Sequence, residues 1–405
     1  MLPPDATMTD ERTPGEQADQ LRPIAAPWRR RRLGANRWTA AEVAGAFGDL
    51  GTLVPFVVGY LAVLRLDPTG VLLGFGISMI LAGWYYRTPV PVQPMKAIGA
   101  TAIAQGGVAV SAGIVGAATL LTGVIWLLLG LTGTVRWISA LVARPVVRGI
   151  VMGLGFSFIV AGVKEVAAQP WVGGTALALA FLLLAGRVPV MFLLLLFGVL
   201  AGLIMEPTLL DELSLTRPGV SLPTFGLANI SWHDVVPGLL LLALPQLPLT
   251  VGNGMIAITA EHNRVLPDLP VSERMISVTT GLMNTLSAFV GGIPLCHGAG
   301  GLAGHVRFGA RTGGATILLG LLLVGLGLFF RDSVGTIFRL FPQGVLGTLL
   351  CFAGLELAGS ARDLGTKEEA TTTLLVAGFA VFNMGVAVLA GIALHFALQR
   401  RWVKL

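Results

Sequence analysis

Apolar stretches alternate with short polar breaks along the chain from about residue 40 onward. A stretch of roughly 20 apolar residues is long enough to cross a bilayer as a helix. The stretches lie near residues 41–64, 70–86, 91–107, 112–131, 145–163, 173–186, 188–205, 233–258, 273–291, 294–308, 313–330, 342–358, 369–382 and 384–399. The pattern predicts an all-α polytopic membrane protein with about 14 transmembrane segments, of which the third, tenth, thirteenth and fourteenth are short.

Residues 1–38 differ from the rest because they are charged, contain several prolines and lack any apolar run. They hold 12 of the 48 charged residues. We predict a disordered or surface-lying cytoplasmic tail. Its basic cluster, Arg29–Arg32, leads into a long apolar segment with no small-residue cleavage site nearby, which argues against a signal peptide. We expect the cluster to anchor the topology, and a site for anionic lipid is the alternative.

The basic residues are distributed unevenly between the two sides of the predicted membrane. With an even number of spans, both termini lie on the same side. Twenty-one of the 27 basic residues then fall on that side and five on the other. Because cytoplasmic loops carry the excess of Lys and Arg, both termini are predicted to be cytoplasmic. Lys96 belongs to neither surface, since it lies inside the third segment.

The composition excludes several classes of protein. Charged residues make up 12% of the chain and hydrophobic residues 54%, whereas a soluble globular protein carries roughly 25% charged residues. An ordinary soluble enzyme and a nucleic-acid-binding protein are therefore excluded, and the net charge of +6 reflects topology. The two cysteines, Cys296 and Cys351, both lie in apolar stretches, so neither a disulfide framework nor a zinc motif is expected.

The chain repeats a set of features in two halves. Asp49 in the first segment is followed by the motif Pro91–Lys96, and Gln246 in the eighth segment is followed by the motif Pro294–Gly301. Because each half has seven predicted spans, the second half is inverted relative to the first, and such repeats bind their substrate near the midplane. We predict a first repeat over 39–206, an extracytoplasmic loop over 207–232 and a second repeat over 233–405.

The third and tenth segments are predicted to be broken half-helices. The prolines of Pro89–Pro94 remove backbone donors and hold the preceding residues extended, so the third helix can begin only around Pro94 or Met95. Gly291–Pro294 precedes the tenth helix in the same way. Both helices then begin part-way across the membrane, where irregular backbone must line a cavity or be buried in protein. Inversion makes the two N-termini face each other, and the pair predicts an anion site.

Lys96 and Asp49 are the main ionisable residues predicted inside the membrane. A lysine in the first turn of a helix opposes the helix dipole, and burying its charge is costly unless the charge is paired. An anion between the two helix ends would pair with it. The alternative is a structural ion pair with Asp49, which could also form when the site is empty. Asp49 is a candidate proton carrier as well, because a carboxylate beside an anion is repulsive unless it is protonated or paired.

The remaining candidates supply hydrogen bonds or close approach of the backbone. Gln246 is the neutral counterpart of Asp49 and can donate N–H to an oxyanion. His297 is predicted in the first turn of the tenth helix, either with a substrate or proton role or as a satisfied hydrogen-bonding residue. The glycines after it serve close ligand approach or helix packing. The candidate substrate-binding residues are Lys96, Gln93, Met95, Gln246, Asn253, Cys296, His297, Gly298 and Gly300, and the proton-coupling candidates are Asp49 and His297.

No metal or other cofactor is expected. Cys296 and His297 are adjacent, but further ligands are lacking, and two neighbouring residues make a poor metal site. No enzyme activity is expected either, because no nucleophile–base set accompanies His297 and no hydrolase or ATP-binding motif occurs.

Three motifs carry a resemblance to a known family. The stretches Gly-Asp-Leu-Gly-Thr at 48–52, Pro-Val-Gln-Pro-Met-Lys-Ala-Ile at 91–98 and Pro-Leu-Cys-His-Gly-Ala-Gly-Gly-Leu-Ala at 294–303 resemble those of the molybdate transporter family within the sulfate permease (SulP) superfamily. The resemblance implies a seven-plus-seven inverted-repeat fold. In that fold spans one, three, eight and ten build the substrate site, and spans five to seven and twelve to fourteen form a gate domain. A soluble C-terminal STAS domain, typical of sulfate permeases, is not expected here.

These features together predict a secondary active transporter that imports a tetrahedral oxyanion, above all molybdate, across the cytoplasmic membrane by alternating access. The resemblance implies sulfate or tungstate as competitors. Alternatives on the same fold are a sulfate, bicarbonate or nucleobase permease, although Gln246 and His297 stand where a nucleobase site would favour carboxylates. An anion channel is a further alternative, which flux saturation and counterflow would distinguish. Membrane lipid is an expected partner, a homodimer is an open arrangement, and no nucleic acid partner is expected.

Overall fold

The computed structural model describes residues 35–105, 107–140, 142–184, 190–360, 365–382, 384–400 and 402. Almost all of the predicted tail therefore lies outside the described residues. Within them, the secondary structure is helical except for one pair of two-residue strands. The prediction of a helical fold is confirmed.

Each of the first seven predicted segments is overlapped by a helix of the first half, and two short helices, Thr134–Ala140 and Thr208–Ser214, lie outside these segments. They are α1 (Ala40–Ala46), α2 (Leu50–Leu64), α3 (Pro68–Tyr86), α4 (Lys96–Gln105), α5 (Ala112–Thr132), α6 (Thr134–Ala140), α7 (Arg144–Ala168), α8 (Pro170–Leu184), α9 (Val190–Met205) and α10 (Thr208–Ser214). A single 3-10 turn, Phe47–Asp49, joins α1 to α2, and strand β1 (Gln93–Pro94) precedes α4.

Each of the other seven predicted segments is overlapped by a helix of the second half, and one short helix, Val334–Arg339, lies outside these segments. They are α11 (Trp232–Pro237), α12 (Leu244–Leu249), α13 (Ile258–Val265), α14 (Glu273–Phe289), α15 (Ala299–Arg307), α16 (Gly314–Phe329), α17 (Val334–Arg339), α18 (Gln343–Ser360), α19 (Lys367–Phe382) and α20 (Met384–Gln399). Strand β2 (Leu295–Cys296) precedes α15, and 3-10 turns span Gly226–Asn229 and Arg331–Ser333.

The eighth predicted segment is an irregular helix. Two π-helical turns, Gly238–Ala243 and Thr250–Ala257, lie on either side of α12 and connect it to α11 and α13. The segment bends by 46° between its two parts, Trp232–Leu247 and Thr250–Val265. Prolines and π-turns are the usual causes of such a bend, and both are present here. The irregular helix carries Gln246 and Asn253.

The helix lengths do not by themselves establish 14 spans. Among the described residues, four helices are long and apolar enough to cross a membrane: Ala40–Leu64, α3, α5 and α7. The number rises to six when two bent helix pairs are each counted as one span. Other predicted segments contain apolar helices of only 10–17 residues. The arrangement of 14 spans in two inverted repeats therefore stays a prediction.

The helices pack in recognisable sets. α3 lies against α16 and α5 lies against α14, whereas α7 packs mainly against α18 and α19. We call α7, α8, α18 and α19 the gate group. Glycines allow close approach within it, since a Cβ built on Gly155 would lie 2.5 Å from the backbone nitrogen of Ala358. The two short helices have different neighbours. α4 contacts α2 and α12, whereas α15 contacts α18 of the gate group.

Candidate functional site

Two buried extended segments cross and lead into the short helices α4 and α15. β1 pairs with β2 in antiparallel orientation, with Gln93 opposite Cys296. The backbone N–H of Met95 donates to the carbonyl of Pro294 at 2.9 Å. Because the strands are antiparallel, the chain leaves the crossing in opposite directions, and each helix begins beside it. The predicted extended backbone is present at both places, although α4 begins at Lys96 rather than at Pro94 or Met95.

Both helices that leave the crossing are short. α4 has 10 residues and α15 has 9. At about 1.5 Å per residue each is roughly half as long as the ~30 Å hydrocarbon core of a bilayer is thick. The extended residues that precede both helices are buried, and the N–H groups that a helix start leaves without intrahelical partners lie beside the crossing.

Polar side chains of α14 hold the second extended segment in place. Asn284 donates from Nδ2 to the carbonyl of Leu295 at 2.5 Å, and its Oδ1 accepts from the N–H of Leu295 at 2.8 Å. The hydroxyl of Ser287 donates to the carbonyl of Ile293 at 2.7 Å. Asn284 and Ser287 are fully buried. They satisfy backbone groups that a helix would otherwise satisfy, so α14 allows the chain to stay extended at this depth.

The start of α4 is capped by an amide from the irregular eighth segment. Oε1 of Gln246 accepts from the N–H groups of Ala97 and Ile98 at 2.9 and 3.2 Å. Nε2 of Gln246 donates to the hydroxyl of Thr250 at 2.9 Å. Gln246 was predicted as a donor to an oxyanion, but here its amide oxygen faces the helix start. An acceptor oxygen thus occupies the place that the helix N-terminus offers to an anion.

Lys96 is buried beside the crossing without a charged partner. Its ammonium nitrogen has no hydrogen-bond partner. It lies 3.8 Å from the centroid of the Phe158 ring, over the ring face. Among the described residues, no ion pair joins Lys96 to Asp49, so the predicted structural ion pair is wrong for this conformation. An aromatic face, rather than a carboxylate, takes the place beside the ammonium.

Asp49 is held by one of its two carboxyl oxygens. Oδ1 accepts from Nε2 of Gln93 at 2.6 Å and from the hydroxyl of Thr52. Oδ2 is buried and has no partner. A Cβ built on Gly301 would lie 2.5 Å from this oxygen, so the free side of the carboxyl faces the first turn of α15. Glycine is required at 301 because any side chain would collide with Asp49.

Gln93 serves the protein rather than an open site. Its Nε2 donates to Asp49 and, at 2.8 Å, to the hydroxyl of Thr52. Both hydrogens of the amide are therefore engaged. Its Oε1 is buried, lacks a partner and lies against Gly298. The structure thus places two unpaired acceptor oxygens, one from Asp49 and one from Gln93, beside the start of α15.

The start of α15 is rich in backbone donors. Gly298 precedes the helix, and the N–H of Ala299 donates to Oδ1 of Asn253 at 3.1 Å. The hydrogen bonds of the helix itself begin with the N–H of Leu302, which donates to the carbonyl of Gly298 at 3.3 Å. The N–H groups of Gly300 and the following residue precede that first bond. Asn253 and Gln246 therefore place one amide oxygen on each helix start from the same irregular segment.

His297 ties the two extended segments and α14 together. It lies two residues before α15, not in the first turn as predicted. Nδ1 lies 2.8 Å from the carbonyl of Pro91, and Nε2 lies 2.9 Å from the hydroxyl of Thr279. Because a carbonyl oxygen only accepts, Nδ1 donates to Pro91, and Nε2 shares a hydrogen bond with the hydroxyl of Thr279. Both ring nitrogens are thus used by the protein, which favours the hydrogen-bonding interpretation of His297.

Met95 and Cys296 line the crossing as buried side chains. Both belong to the apolar core. The sulfur of Cys296 lies 3.9 Å from the carbonyl oxygen of Pro94, which belongs to the paired strand β1. In the part of the chain that the structure describes, no group of three His, Cys, Asp or Glu side chains could hold a metal.

A cavity of about 740 Å³ reaches Lys96. One face of α7 forms one wall of the cavity, with Phe158 and Glu165 along it, and Thr52 and Ala97 belong to the opposite side. Residues three, four and seven apart lie on the same side of a helix, so this face of α7 is continuous. Lys96 and Glu165 are charged. The cavity therefore extends to the first two residues of α4, Lys96 and Ala97.

The amino-acid sequence matches a known family over both regions that contain an extended segment and the short helix after it. A sequence profile described as "Molybdate transporter of MFS superfamily" matches residues 41–158 and 238–357, which contain α4, α15 and their extended segments. The chain belongs to the molybdate transporter family. "Molybdate transporter 2" of Arabidopsis thaliana is 33% identical over 426 residues, covering 92% of this chain and 90% of that protein. "Molybdate transporter 1" of Chlamydomonas reinhardtii is 28% identical over 474 residues, covering 87% and 90%.

The fold is that of known anion transporters. SLC26A9 matches with a TM-score of 0.59 and 12% identity, over 90% of this chain and 66% of that chain, so this chain spans just under two thirds of that protein. The transmembrane domain of the cyanobacterial bicarbonate transporter BicA matches with a TM-score of 0.52 and 13% identity, over 87% and 96%. The fold of this molybdate transporter family member is thus similar to the folds of SLC26A9 and BicA, and the chain is a multi-pass membrane protein.

Sequence reasoning missed three residues of the site. Asn284 and Thr279 lie on α14 with other polar side chains that face the interior. A polar stripe on an apolar segment could have indicated them, because polar groups in a membrane helix face protein. Phe158 gave no such indication, since an aromatic residue in an apolar helix has no distinguishing pattern.

Proposed function

We propose that this protein is a secondary active transporter that imports molybdate, a tetrahedral oxyanion, across the cytoplasmic membrane by alternating access. The observation that carries the proposal is the pair of buried helix starts at one crossing, with the unpaired ammonium of Lys96 beside them. Helix N-termini and a buried cation both favour an anion. Family membership supports molybdate, because the relatives are named as molybdate transporters.

The anion would lie between the first turns of α4 and α15. Lys96 would supply positive charge, and the N–H groups of Gly300 and Gly301 would supply hydrogen bonds, because the bonds of α15 begin only at Leu302. Tetrahedral dianions such as molybdate, tungstate and sulfate share this requirement. Selection among them would then depend on the size of the space between the two helix starts.

Gln246 and Asn253 would act as substitutes for substrate oxygens. Their amide oxygens accept from the N–H groups of Ala97, Ile98 and Ala299. Buried helix donors are costly when left unpaired. The two amides would therefore keep the helix starts satisfied until an oxyanion takes over some of these bonds.

The membrane arrangement that we infer has 14 spans in two inverted repeats of seven, with both termini cytoplasmic. The fold likeness to SLC26A9 supports this arrangement. α2, α4, the irregular eighth segment and α15 would form a core that carries the anion. The gate group, which packs mainly within itself, would move against that core to open the site to one side and then to the other.

We also propose that uptake is coupled to protons through Asp49. Its Oδ2 is a buried acceptor without a partner. A proton there would turn the acceptor into a donor and remove negative charge beside an incoming dianion. His297 is the weaker of the two predicted carriers, because both of its ring nitrogens are hydrogen-bonded within the protein. Molybdate uptake that ignores an imposed pH gradient would contradict this coupling.

The proposal involves no chemical conversion of the anion and no cofactor. We infer that the chain is not an enzyme, since its relatives and structural neighbours are named as transporters. Membrane lipid would cover the exposed apolar side chains, such as Leu182 and Leu389. A homodimer remains part of the proposal only as an arrangement that native mass spectrometry in detergent would check.

The experiment that tests the function is uptake of radiolabelled molybdate into proteoliposomes that contain the purified chain. We expect saturable uptake, counterflow, and competition by excess tungstate and sulfate. Lys96→Ala should reduce uptake by at least tenfold. Lys164→Ala is the matched control, because Lys164 is an exposed lysine outside the cavity, and it should transport like the wild type.

Three outcomes would count against the proposal. Linear, non-saturating flux without counterflow would indicate a channel. Competition by bicarbonate or uracil, but not by tungstate, would indicate another substrate on the same fold. Uptake by Lys96→Ala equal to that of the wild type would remove Lys96 from the site.

A further inference from the structure

Phe158 brings an aromatic ring from the gate group to both helix starts. It lies on α7, and only 5% of it is exposed. The face of its ring lies over the ammonium of Lys96 at the start of α4. The edge of the same ring, atoms Cε2 and Cζ, lies where a Cβ on Gly300 would be, at the start of α15. One side chain of the gate group thus contacts the residues to which we assign the anion.

Simple filling of space does not account for this position. The Phe158 ring face is the contact that the structure records for the buried ammonium of Lys96, which has no hydrogen-bond partner. An aliphatic side chain of similar volume would fill the space but would not offer the ammonium the negative face of an aromatic ring. Gly300 permits the ring to lie directly against the backbone of α15. The ring therefore lies over the cation and against the first turn of α15, the two places to which we assign the anion.

We propose that Phe158 is an aromatic plug that occupies the place to which we assign the anion, so that substrate binds only when the ring leaves. This inference rests on the proposed function and deepens it. The dianion and the ring compete for Lys96, and the dianion also gains the backbone N–H groups at the start of α15. Because the ring belongs to α7, its displacement moves the gate group relative to α4 and α15. Binding of the anion is thereby coupled to the motion that changes access.

The plug has a measurable energetic consequence. When only a fraction of the protein molecules has an open site, the apparent affinity for the ligand is reduced by that fraction. A desolvated cation–π contact corresponds to a change of roughly tenfold in an equilibrium constant. Removing the ring should therefore tighten molybdate binding about tenfold. The same change should slow transport, because the anion no longer drives α7 away.

The first arm of the test measures access to Lys96 without any substrate. Reductive methylation with formaldehyde and a borane reductant, followed by peptide mass spectrometry, gives the rate at Lys96 relative to exposed Lys164. We expect Phe158→Ala and the bulkier Phe158→Leu to raise this ratio at least fivefold. Phe158→Tyr keeps an aromatic face and should behave like the wild type. Phe156→Ala is the matched control, since Phe156 lies two residues away on α7 and is 40% exposed.

The second arm measures equilibrium binding of radiolabelled molybdate to the same purified proteins. We expect Phe158→Ala and Phe158→Leu to bind about tenfold more tightly than the wild type, with Phe158→Tyr and Phe156→Ala unchanged. Using Leu beside Ala keeps the test valid if the smaller side chain prevents folding.

The two arms separate failure of the plug from failure of the proposed substrate. Equal Lys96 methylation in the wild type and in the folded Phe158 variants would overturn the plug, whatever the anion. Molybdate binding that is unchanged or weaker in those variants would overturn it as well. If molybdate binds to none of the proteins while Lys96 becomes more reactive in the variants, the plug is supported and molybdate as the substrate is contradicted.

Discussion

The starts of α4 and α15 lie at one crossing but offer an anion different chemistry. α4 begins with Lys96, and the N–H groups of its next two residues already donate to Gln246. α15 begins with a glycine-rich turn, in which only the N–H of Ala299 is recorded as donating to a side chain of the eighth segment. The first start supplies charge, and the second supplies backbone donors.

This difference bears on the anion site that we propose between the two helix starts. A lysine at the start of α15 would have no room, because Gly300 and Gly301 lie against Phe158 and Asp49. At α4 the side chain of Lys96 lines the cavity, and its ammonium lies under the ring of Phe158. The anion site that we propose needs the starts of both α4 and α15. Substitutions at the two helix starts should therefore have different effects.

The largest effect is expected at the glycine-rich start. In Gly301→Ala the added Cβ would lie 2.5 Å from Oδ2 of Asp49 and 2.7 Å from Cβ of Pro91. Such overpacking lowers the free energy of unfolding by about 3 kcal/mol. We expect a clear loss of folded protein after heating, measured by size-exclusion chromatography in detergent. Gly325→Ala on α16 is the control, since a Cβ there meets nothing within 4 Å; a similar loss in both variants would contradict this account.

The next largest effect is expected at the cap of α4. Gln246→Leu leaves the N–H groups of Ala97 and Ile98 buried and unpaired, at a cost of about 2 kcal/mol. Gln246→Glu keeps the acceptor but adds a negative charge beside Lys96. We expect the Leu variant to unfold at a lower temperature, and the Glu variant to stay stable while binding molybdate about tenfold more weakly. Unaltered molybdate binding in Gln246→Glu would show that this amide lies away from the anion.

A smaller effect of opposite sign is expected from removing the buried charge. Lys96→Met keeps most of the side-chain volume and removes an ammonium that has no hydrogen-bond partner. Buried unpaired charge destabilises a fold. In the absence of substrate we expect Lys96→Met to be more stable than the wild type by about 1 kcal/mol, seen as a higher Tm in detergent. A lower Tm would mean that the Phe158 contact stabilises Lys96 by more than its desolvation costs.

The smallest effect is expected at the cap of α15. Asn253 accepts from one N–H, that of Ala299, whereas Gln246 accepts from two. Asn253→Leu should therefore lower the free energy of unfolding by about 1 kcal/mol, which is less than the loss expected for Gln246→Leu. Tm values of the two variants, measured side by side, check the order. The reverse order would show that the glycine-rich start depends more on its cap than the geometry indicates.

Much of this site could be predicted because its elements are marked by local chemistry. The prolines before Lys96 forbid a continuous helix, and an ionisable residue in an apolar segment is unusual enough to indicate function. The partners of these residues could not be predicted, because they depend on contacts between distant helices. Asp49 was paired with Lys96 on the basis of charge, whereas the fold places Phe158 there instead.

The donor role assigned to Gln246 shows a second limit of sequence reasoning. An amide can donate or accept, and the sequence does not reveal which end faces a helix start. The number of spans has a similar limit. Several predicted segments contain only short helices, so their length alone does not decide whether they cross the membrane.

The central claim is that Lys96 and the two helix starts bind the transported dianion. Equilibrium binding of radiolabelled molybdate to the purified wild type, Lys96→Met and the exposed-lysine control Lys164→Met tests it most directly. We expect saturable binding of molybdate by the wild type and by Lys164→Met. Lys96→Met should bind molybdate at least tenfold more weakly, although that protein is folded and no less stable than the wild type. Equal affinity in Lys96→Met and the wild type would contradict it.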